Sequence, residues 1–303
     1  FIDKGPVVQV RNSNGRISLE EDADPGMAWK GPLAVLVNRY SASASEIFAA
    51  AIQDYGRGLV IGEPTFGKGT VQSLLDLDDY APSDSPGMGQ LKITMAQFFR
   101  VNGGSTQNRG VEPDIRFPSV GTPEEYGESS LTNALPWTSI DPARYEPEGD
   151  LSRMVAVTDS RYRGRIGDNE EFNWLLNDIN EYNVHADEKS VSLLESVGRE
   201  KMTEAEAKKS ERKAKRKGLD PLLSEDSVLA VAPNPEVEAD AEDTAEAVAG
   251  EDGDEEEEEG PDLLLREAAR IVADMAELGS DIELLEHQFS QLNAEASEHR
   301  KIN

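Results

Sequence analysis

The side chains that could act as nucleophile or base in the first 120 residues are serines, carboxylates and lysines. The three histidines, His185, His287 and His299, all come later in the chain. A Ser–His–Asp site in the front region is therefore disfavoured. The sequence also lacks a G-x-S-x-G elbow, an H-E-x-x-H motif and a P-loop. A base in this region must be a carboxylate or a lysine.

A serine-rich turn supplies the candidate nucleophile. Residues 38–46 read NRYSASASE, between a predicted buried strand and a predicted helix start. Helix N-terminal N–H groups favour negative charge, so Ser43 could attack a carbonyl while the N–H of Ala44 binds the oxyanion. The structural alternative is a capping box, S-x-x-E, formed by Ser43 and Glu46. On spacing alone the cap is the more ordinary interpretation, although a nucleophile can also lie at a helix start.

A lysine between two glycines is the candidate base. Residues 62–70 read GEPTFGKGT, so Gly67 and Gly69 flank Lys68 and allow tight backbone conformations. Lysine is a poor base while charged, and burial is the usual way to make the neutral amine available near pH 7. A glycine-rich surface loop is the alternative interpretation of a lone G-K-G.

The elements that would position these residues form an α/β pattern. An amphipathic helix is predicted at 43–55, ended by Gly56. Strand, loop, helix and strand in this order predict an α/β layer. The predicted strands are short apolar runs bounded by glycine and polar residues, at 6–11, 32–38, 59–61, 71–77 and 91–101.

The composition excludes several functions. The 303 residues include 60 acidic and 30 basic side chains, for a formal net charge of −30. This charge argues against nucleic-acid binding, because a phosphate backbone would be repelled. There are no cysteines, so disulfides and thiolate zinc sites are excluded. No apolar run approaches the roughly 20 residues of a membrane span.

The rest of the chain is predicted to be mostly helical. Helices are predicted at 172–182, at 190–217 and from 261 onward, where an apolar stripe from Leu264 to Leu278 must pack against something. The predicted divisions are a peptidase-core half at 1–120, a linker at 121–150, a helical domain at 151–235, an acidic disordered segment at 236–260 and terminal helices at 261–303. The disorder is predicted because fourteen acids and no base lie between 236 and 259.

A basic stretch ends the predicted helix at 190–217. It could contact an anionic membrane surface or an acidic partner, or it could be a solvated helix interleaved with glutamates.

Two segments together resemble the tail-specific, or carboxy-terminal processing, peptidases of the long periplasmic bacterial type. They are VNRYSASASEIFAAA at 37–51 and GEPTFGKGTVQ at 62–72. The likeness continues through FRVNGGSTQ at 99–107, GVEPDI at 110–115 and NALPWTSID at 133–141. In this family the middle serine of S-A-S-A-S is the nucleophile, and a lysine 25 residues later is the base. A glutamine four residues beyond the lysine orients it. The resemblance therefore assigns these roles to Ser43, Lys68 and Gln72.

The resemblance implies a fold, a reaction and a setting. The fold would be part of a crotonase/ClpP-like α/β peptidase core, a mixed sheet with helices, followed by a mostly α-helical C-terminal domain. The activity would be that of a serine-type endopeptidase that cleaves proteins with apolar C-terminal tails, without metal or cofactor. It would act in the bacterial periplasm, peripheral to the inner membrane, with an envelope adaptor lipoprotein as partner.

Family descriptions add Asp54 as a third catalytic member. Eleven residues of helix at about 1.5 Å each place it roughly 16 Å from Ser43, so direct contact is not expected. A solvated carboxylate near a helix end is the alternative.

The chain departs from the family in what precedes Ser43. A PDZ-type peptide-binding domain and the Gly-rich loop that gives a second oxyanion donor are absent from the 303 residues. Losing one such donor costs about 2.7–4 kcal/mol, so we expect the chain alone to be inactive. The alternative from another class is a non-catalytic scaffold or binding fragment of the same fold, and a different enzyme on a crotonase-like layer is a third.

Overall fold

The computed structural model describes residues 1–80, 87–186, 188, 190, 192–219 and 262–302. The acidic segment predicted at 236–260 lies outside the described residues. The chain divides into two compact units, one of residues 1–187 with 263–303 and the other of residues 188–262.

The described elements begin with strands and end with helices. The strands are Gly5–Asn12 (β1), Ile17–Asp22 (β2), Ala34–Val37 (β3), Leu59–Gly62 (β4), Thr70–Asp76 (β5), Gln90–Phe99 (β6) and Ile115–Arg116 (β7). The α-helices are Ala44–Asp54 (α1), Pro123–Tyr126 (α2), Ser152–Gly167 (α3), Glu170–Ala186 (α4), Glu195–Leu219 (α5), Leu263–Ser280 (α6) and Ile282–Ile302 (α7). Short 3-10 helices lie at Leu77–Tyr80 and Glu128–Ser130.

A parallel sheet of order β3-β4-β7 carries the turn that leads to Ser43. Its central strand β4 is buried along its whole length, as expected for a parallel strand covered on both faces. Val60 packs with Val37 and with Ala49 and Ala50 of α1 on one side. Because successive side chains of a strand alternate, Leu59 and Ile61 face the other side.

The helices of the first unit cover that other side of the parallel sheet. Ile271, Met275 and Leu278 of α6 are buried in the same cluster as Leu59 and Ile61, so the apolar stripe predicted on this helix packs in the core. An arginine of α3 forms ion pairs with two carboxylates of α6. Arg165 lies 2.6 Å from both Glu267 and Asp274 of α6. These pairs fix how α3 and α6 align.

An antiparallel sheet of order β2-β1-β6-β5 forms the second layer of strands. Strand β5 begins at Thr70, two residues after Lys68, and pairs with β6 along its whole length. The register shifts between Val71 and Gln72 of β5, because Met95 of β6 is an extra residue between their partners Ala96 and Thr94 and makes a bulge in β6. This sheet therefore extends directly from the loop that holds the candidate base.

Residues 121–150 lie against the sheet region through aromatic side chains. The indole N–H of Trp137 donates to the Ser105 carbonyl at 2.8 Å, and the Arg109 guanidinium stacks over the Trp137 ring. Tyr145 packs against the buried Tyr55, with ring centroids 5.1 Å apart.

The second unit contains α5, the helix predicted at 190–217. Ion pairs one turn apart run along it, from Glu195 to Arg199 and from Glu211 to Lys215. Across the described ranges of both units, no helix combines the length and apolar character needed to cross a bilayer.

Candidate active site

Ser43 lies at the sharp turn between β3 and α1 in a strained backbone conformation. Its φ is 58° and its ψ is −112°. A positive φ in a residue other than glycine is uncommon and costs on the order of 1–3 kcal/mol unless the surroundings impose it. Such a turn projects a serine hydroxyl away from the sheet, as in the nucleophile elbow of other hydrolases.

Hydrogen bonds to the carbonyl and from the N–H of Ser43 stabilise its strained backbone conformation. The Ser43 carbonyl accepts from the N–H groups of Glu46 and Ile47, both at 3.0 Å. The Ser43 N–H donates to the Glu46 carboxylate at 2.8 Å. The carboxylate contact is the glutamate half of the predicted capping box, so the structural interpretation of this motif and a site at the helix start are compatible.

Glu46 connects the Ser43 turn to the Lys68 loop. Its side chain is fully buried and accepts four hydrogen bonds. One oxygen accepts from the N–H groups of Ser43 and Lys68, at 2.8 and 2.9 Å. The other accepts from the Thr65 hydroxyl and the Gly67 N–H, at 2.6 and 2.7 Å. A carboxylate offers about four lone-pair sites, and here all are used.

Burial and hydrogen bonding have opposite effects on the pKa of the Glu46 carboxyl. Burial raises the pKa of the Glu46 carboxyl, while the hydrogen bonds from Thr65, Gly67, Ser43 and Lys68 act to lower it. Burying a carboxylate is costly unless its oxygens are fully bonded, and this one is. The four donors therefore explain how a buried acid can remain at this place.

The Lys68 loop is fixed from its other side by residues 105–110. The Gly67 carbonyl accepts from the Asn108 N–H at 2.8 Å, and the Gly69 N–H donates to the Gln107 side chain at 2.9 Å. A Cβ on Gly69 would come within 2.7 Å of the Gln107 nitrogen. A side chain at Gly69 would thus displace this packing, which explains the glycine there.

Lys68 itself is half-buried, between the Glu46 carboxylate and the start of β5. Among the described residues, its amine makes no hydrogen bond to the hydroxyl of Ser43. Catalytic hydrogen bonds are often long in sites without substrate, so this geometry is compatible with a Ser–Lys pair. The structure thus brings the two segments together through backbone contacts to Glu46.

The backbone N–H of Ala44 lies at the start of α1, where helix N–H groups are unpaired. Within the part of the chain that the structure describes, it donates to no protein acceptor, and Ala44 is exposed. It can therefore donate a hydrogen bond to an oxyanion that forms beside Ser43.

Gln72 lies in β5 opposite Thr94, immediately after the bulge, and is exposed. Among the described residues its side chain does not bind Lys68. The role assigned to Gln72 from the family resemblance stays a prediction.

Asp54 lies at the far end of α1 from Ser43. Both of its oxygens accept from the Arg100 guanidinium, at 2.6 and 3.0 Å, and one also accepts from the Asn102 amide at 2.8 Å. The Asp54 side chain is only 5% exposed. These contacts join α1 to the end of β6 and place no part of Asp54 at Ser43.

Glu46 and Thr65 have roles at the site that the sequence did not predict. Glu46 was visible only as the last residue of a capping box. The Thr65 hydroxyl donates to Glu46 and accepts from the Val111 N–H at 2.7 Å, so it relays the position of another loop to the site. The S-x-x-E motif alone does not indicate that its glutamate is fully buried beside the Ser43 turn.

Comparison with known proteins identifies the family. Residues 1–117 match peptidase family S41, and residues 122–277, which make up half of the chain, match the C-terminal domain of tail specific protease. The chain belongs to the tail-specific protease family. The expected fold class, an α/β peptidase region followed by helices, is confirmed.

Individual members of the tail-specific protease family are similar over different lengths. The chain is 39% identical to the tail-specific protease of Haemophilus influenzae, over 93% of this chain and 38% of that protein. It is 36% identical to the carboxy-terminal processing protease CtpA of Bacillus subtilis, over 38% of this chain and 23% of that protein. A solved structure, the photosystem II D1 C-terminal processing protease, matches with a TM-score of 0.32 and 36% identity, over 38% of this chain and 28% of that one. The chain thus spans well under half the length of these relatives.

Proposed function

We propose that the protein containing this chain is a serine-type endopeptidase in which Ser43 is the nucleophile and Lys68 the general base. The observation that carries the proposal is the Glu46 carboxylate, one oxygen of which binds the backbone N–H groups of both residues. The strained turn at Ser43 and the unpaired Ala44 N–H support it. Membership of a carboxyl-terminal processing peptidase family gives the reaction class.

In the proposed reaction the neutral amine of Lys68 takes the proton of the Ser43 hydroxyl as its oxygen attacks the scissile carbonyl. The Ala44 N–H donates to the oxyanion. Collapse of the intermediate breaks the C–N bond, and the protonated amine gives its proton to the leaving nitrogen. Water then attacks the acyl-enzyme with Lys68 again as base, releasing the acid and restoring Ser43.

Glu46 acts in this proposal as a positioning residue. It contacts the backbone of both partners but neither reacting atom. Gln72, four residues after Lys68, is proposed to orient the amine once substrate fills the site.

The proposed substrates are proteins with apolar C-terminal tails, and the proposed setting is the bacterial periplasm. The substrates and the setting are proposals that go beyond family membership. An adaptor lipoprotein as partner and a peripheral contact with the inner membrane are proposals of the same kind.

The test is cleavage by the full-length protein of one unfolded substrate in two forms, ending in an apolar tail or in two aspartates. We expect the apolar form to be cleaved faster. Ser43→Ala should abolish cleavage, whereas Ser45→Ala, two positions on in the first turn of α1, should retain most of it. Unchanged turnover in Ser43→Ala would overturn the proposal.

A further inference from the structure

The two glycines beside Lys68 are held by consecutive residues of another loop. The N–H of Gly69 donates to the side-chain oxygen of Gln107 at 2.9 Å. The carbonyl of Gly67 accepts from the backbone N–H of Asn108 at 2.8 Å. Since these bonds fix the backbone on both sides of Lys68, the position of the candidate base depends on what holds Gln107 and Asn108.

One carbonyl binds both of these side chains. The carbonyl of Leu135 accepts from the amide NH2 of Gln107 at 3.1 Å and from that of Asn108 at 3.0 Å. The Gln107 amide also donates to the carboxylate of Glu128 at 3.2 Å. The N–H of Glu128 in turn donates to the carbonyl of Phe66 at 2.8 Å, two residues before the candidate base. This part of the chain therefore contacts the loop of the base both directly and through two amide side chains.

Gln107 serves both sides because an amide carries an acceptor and a donor. Its side chain is fully buried. Its oxygen faces the Gly69 N–H, and its NH2 faces the Leu135 carbonyl and the Glu128 carboxylate, so the partners fix the orientation of the amide. An apolar side chain of the same length would leave the N–H of Gly69, which is buried, without its acceptor.

Asn108 lies in the left-handed region of backbone conformations, with a φ of 64°. Asparagine tolerates this region better than most residues do, but the conformation is still uncommon. Among the described residues other than glycine, only Ser43 shares a positive φ. Strained residues of this kind cluster at functional sites, where the surroundings impose the conformation. One of the two therefore lies at the candidate nucleophile, and the other binds the loop of the candidate base.

Residues 128–135 lie outside the part of the chain that matches the peptidase family. They fall within residues 122–277, which match the C-terminal domain of tail specific protease. We propose that this stretch of the C-terminal domain positions Lys68 through Gln107 and Asn108, so that the C-terminal domain is part of the catalytic unit. Gln107 and Asn108 bind the backbone next to the base and act through it as positioning residues. The proposal rests on the proposed function, in which Lys68 is the base.

The first measurement is the rate at which a fluorophosphonate labels Ser43 in the full-length protein. This small probe reports activation of the serine by the base and does not depend on contacts with a protein substrate. Gln107→Met, which keeps the length of the side chain and removes its bonds, should slow labelling about tenfold or more, because small displacements of a reacting group are costly. Asn108→Gly keeps the positive φ and the bond to Gly67 and removes the side-chain bond to Leu135, so labelling should slow about threefold or more.

Steady-state cleavage of an unfolded substrate separates positioning from binding and from stability. In both variants we expect kcat per folded molecule to fall by the same factors and KM to stay within about twofold, because the base is displaced and the substrate contacts are not. Glu124→Ala is the control. It removes an exposed carboxylate of α2, in the same family domain, and should stay within about twofold of wild type in labelling and in kcat.

Asn108→Gly is the milder change and decides the matter if Gln107→Met does not fold. Wild-type labelling in folded Asn108→Gly, or an equal loss in Glu124→Ala, would overturn the proposal. The two proposals fail separately. Cleavage that survives Ser43→Ala, or labelling that does not depend on Lys68, overturns the proposed function. Labelling that depends on Ser43 and Lys68 but is unchanged in both loop variants overturns only the positioning role of the C-terminal domain.

Discussion

The backbone N–H groups of Ser43 and Lys68 donate to the same oxygen of Glu46, at 2.8 and 2.9 Å. The two N–H groups therefore lie within two hydrogen-bond lengths of each other, although 25 residues separate them in sequence. A single buried carboxylate thus sets the distance between the candidate nucleophile and the candidate base.

Replacing Glu46 by glutamine should damage catalysis more than its similar size suggests. The amide NH2 would face two N–H or O–H donors, leaving buried donors unpaired at about 1–3 kcal/mol each. We expect kcat to fall about a hundredfold while KM changes little, because the reacting groups are displaced and substrate binding is not. Steady-state kinetics on Glu46→Gln measures this. Glu63→Gln, which alters a carboxylate that pairs with Arg39 on the same loop, is the control and should stay near wild type. Equal kcat values in the two variants would contradict the role of Glu46.

The raised pKa of Glu46 predicts opposite pH effects on stability and activity. Between the ordinary and the raised pKa, the folded protein holds a proton that the unfolded chain has released, so this group lowers stability as pH rises through that window. Activity should fall as pH drops through the same window, because a protonated carboxyl has one acceptor site fewer. Denaturant unfolding of wild type and Glu46→Gln across acidic pH checks the first part. The difference between wild type and variant in unfolding free energy should decrease with rising pH, and parallel curves would disprove the linkage.

The base can be distinguished from a fixed positive charge. Lys68→Arg should be as inactive as Lys68→Ala, because a guanidinium does not lose its proton near neutral pH. Gln72→Ala should be impaired less than either. The measurement is single-turnover cleavage with all variants at equal folded concentration. Activity in Lys68→Arg above that of Lys68→Ala would show that the lysine acts only through its charge.

Asp54 should affect stability and leave chemistry unchanged. Asp54→Ala leaves Arg100, which is 16% exposed in its side chain, without its carboxylate, and breaking such a buried pair costs about 3–5 kcal/mol. Urea unfolding should show this loss, whereas kcat per folded molecule should stay within about twofold of wild type. Glu112→Ala is the control, because its pair with Arg116 is exposed and contributes less than about 1 kcal/mol. A loss of kcat in folded Asp54→Ala would return Asp54 to the catalytic set.

Much of this fold could be predicted from local patterns, and the site only in part. The apolar runs at β1, β3, β4, β5 and β6 and the period of α1 gave these elements within a few residues. Strand β2 was missed because ISLEED is exposed and acidic on an edge, and β7 because two residues make no pattern. Helix α3 lies in the region predicted to be helical, but its bounds were not predicted, because its core contacts lie between arginines that pair with α6.

The candidate site could likewise be predicted only in part from local sequence patterns. The segments that hold Ser43 and Lys68 can be recognised in the sequence as turns rich in small residues. Their assignment as one nucleophile–base pair came from the resemblance to the tail-specific peptidases. The role of Glu46 depends on the loop at 62–69 folding back over α1, which no local period encodes. The bulge at Met95 of β6 depends on the pairing of β6 with β5, and no local pattern predicts it.

The most direct test of the account is covalent labelling of the nucleophile. A fluorophosphonate probe phosphonylates an activated serine oxygen with loss of fluoride, and mass spectrometry of the digested protein locates the adduct. In the full-length protein we predict one adduct, on Ser43, that is lost in Lys68→Ala and retained in Ser45→Ala. An adduct on another serine, or labelling of Ser43 that does not depend on Lys68, would contradict the assignment of this pair.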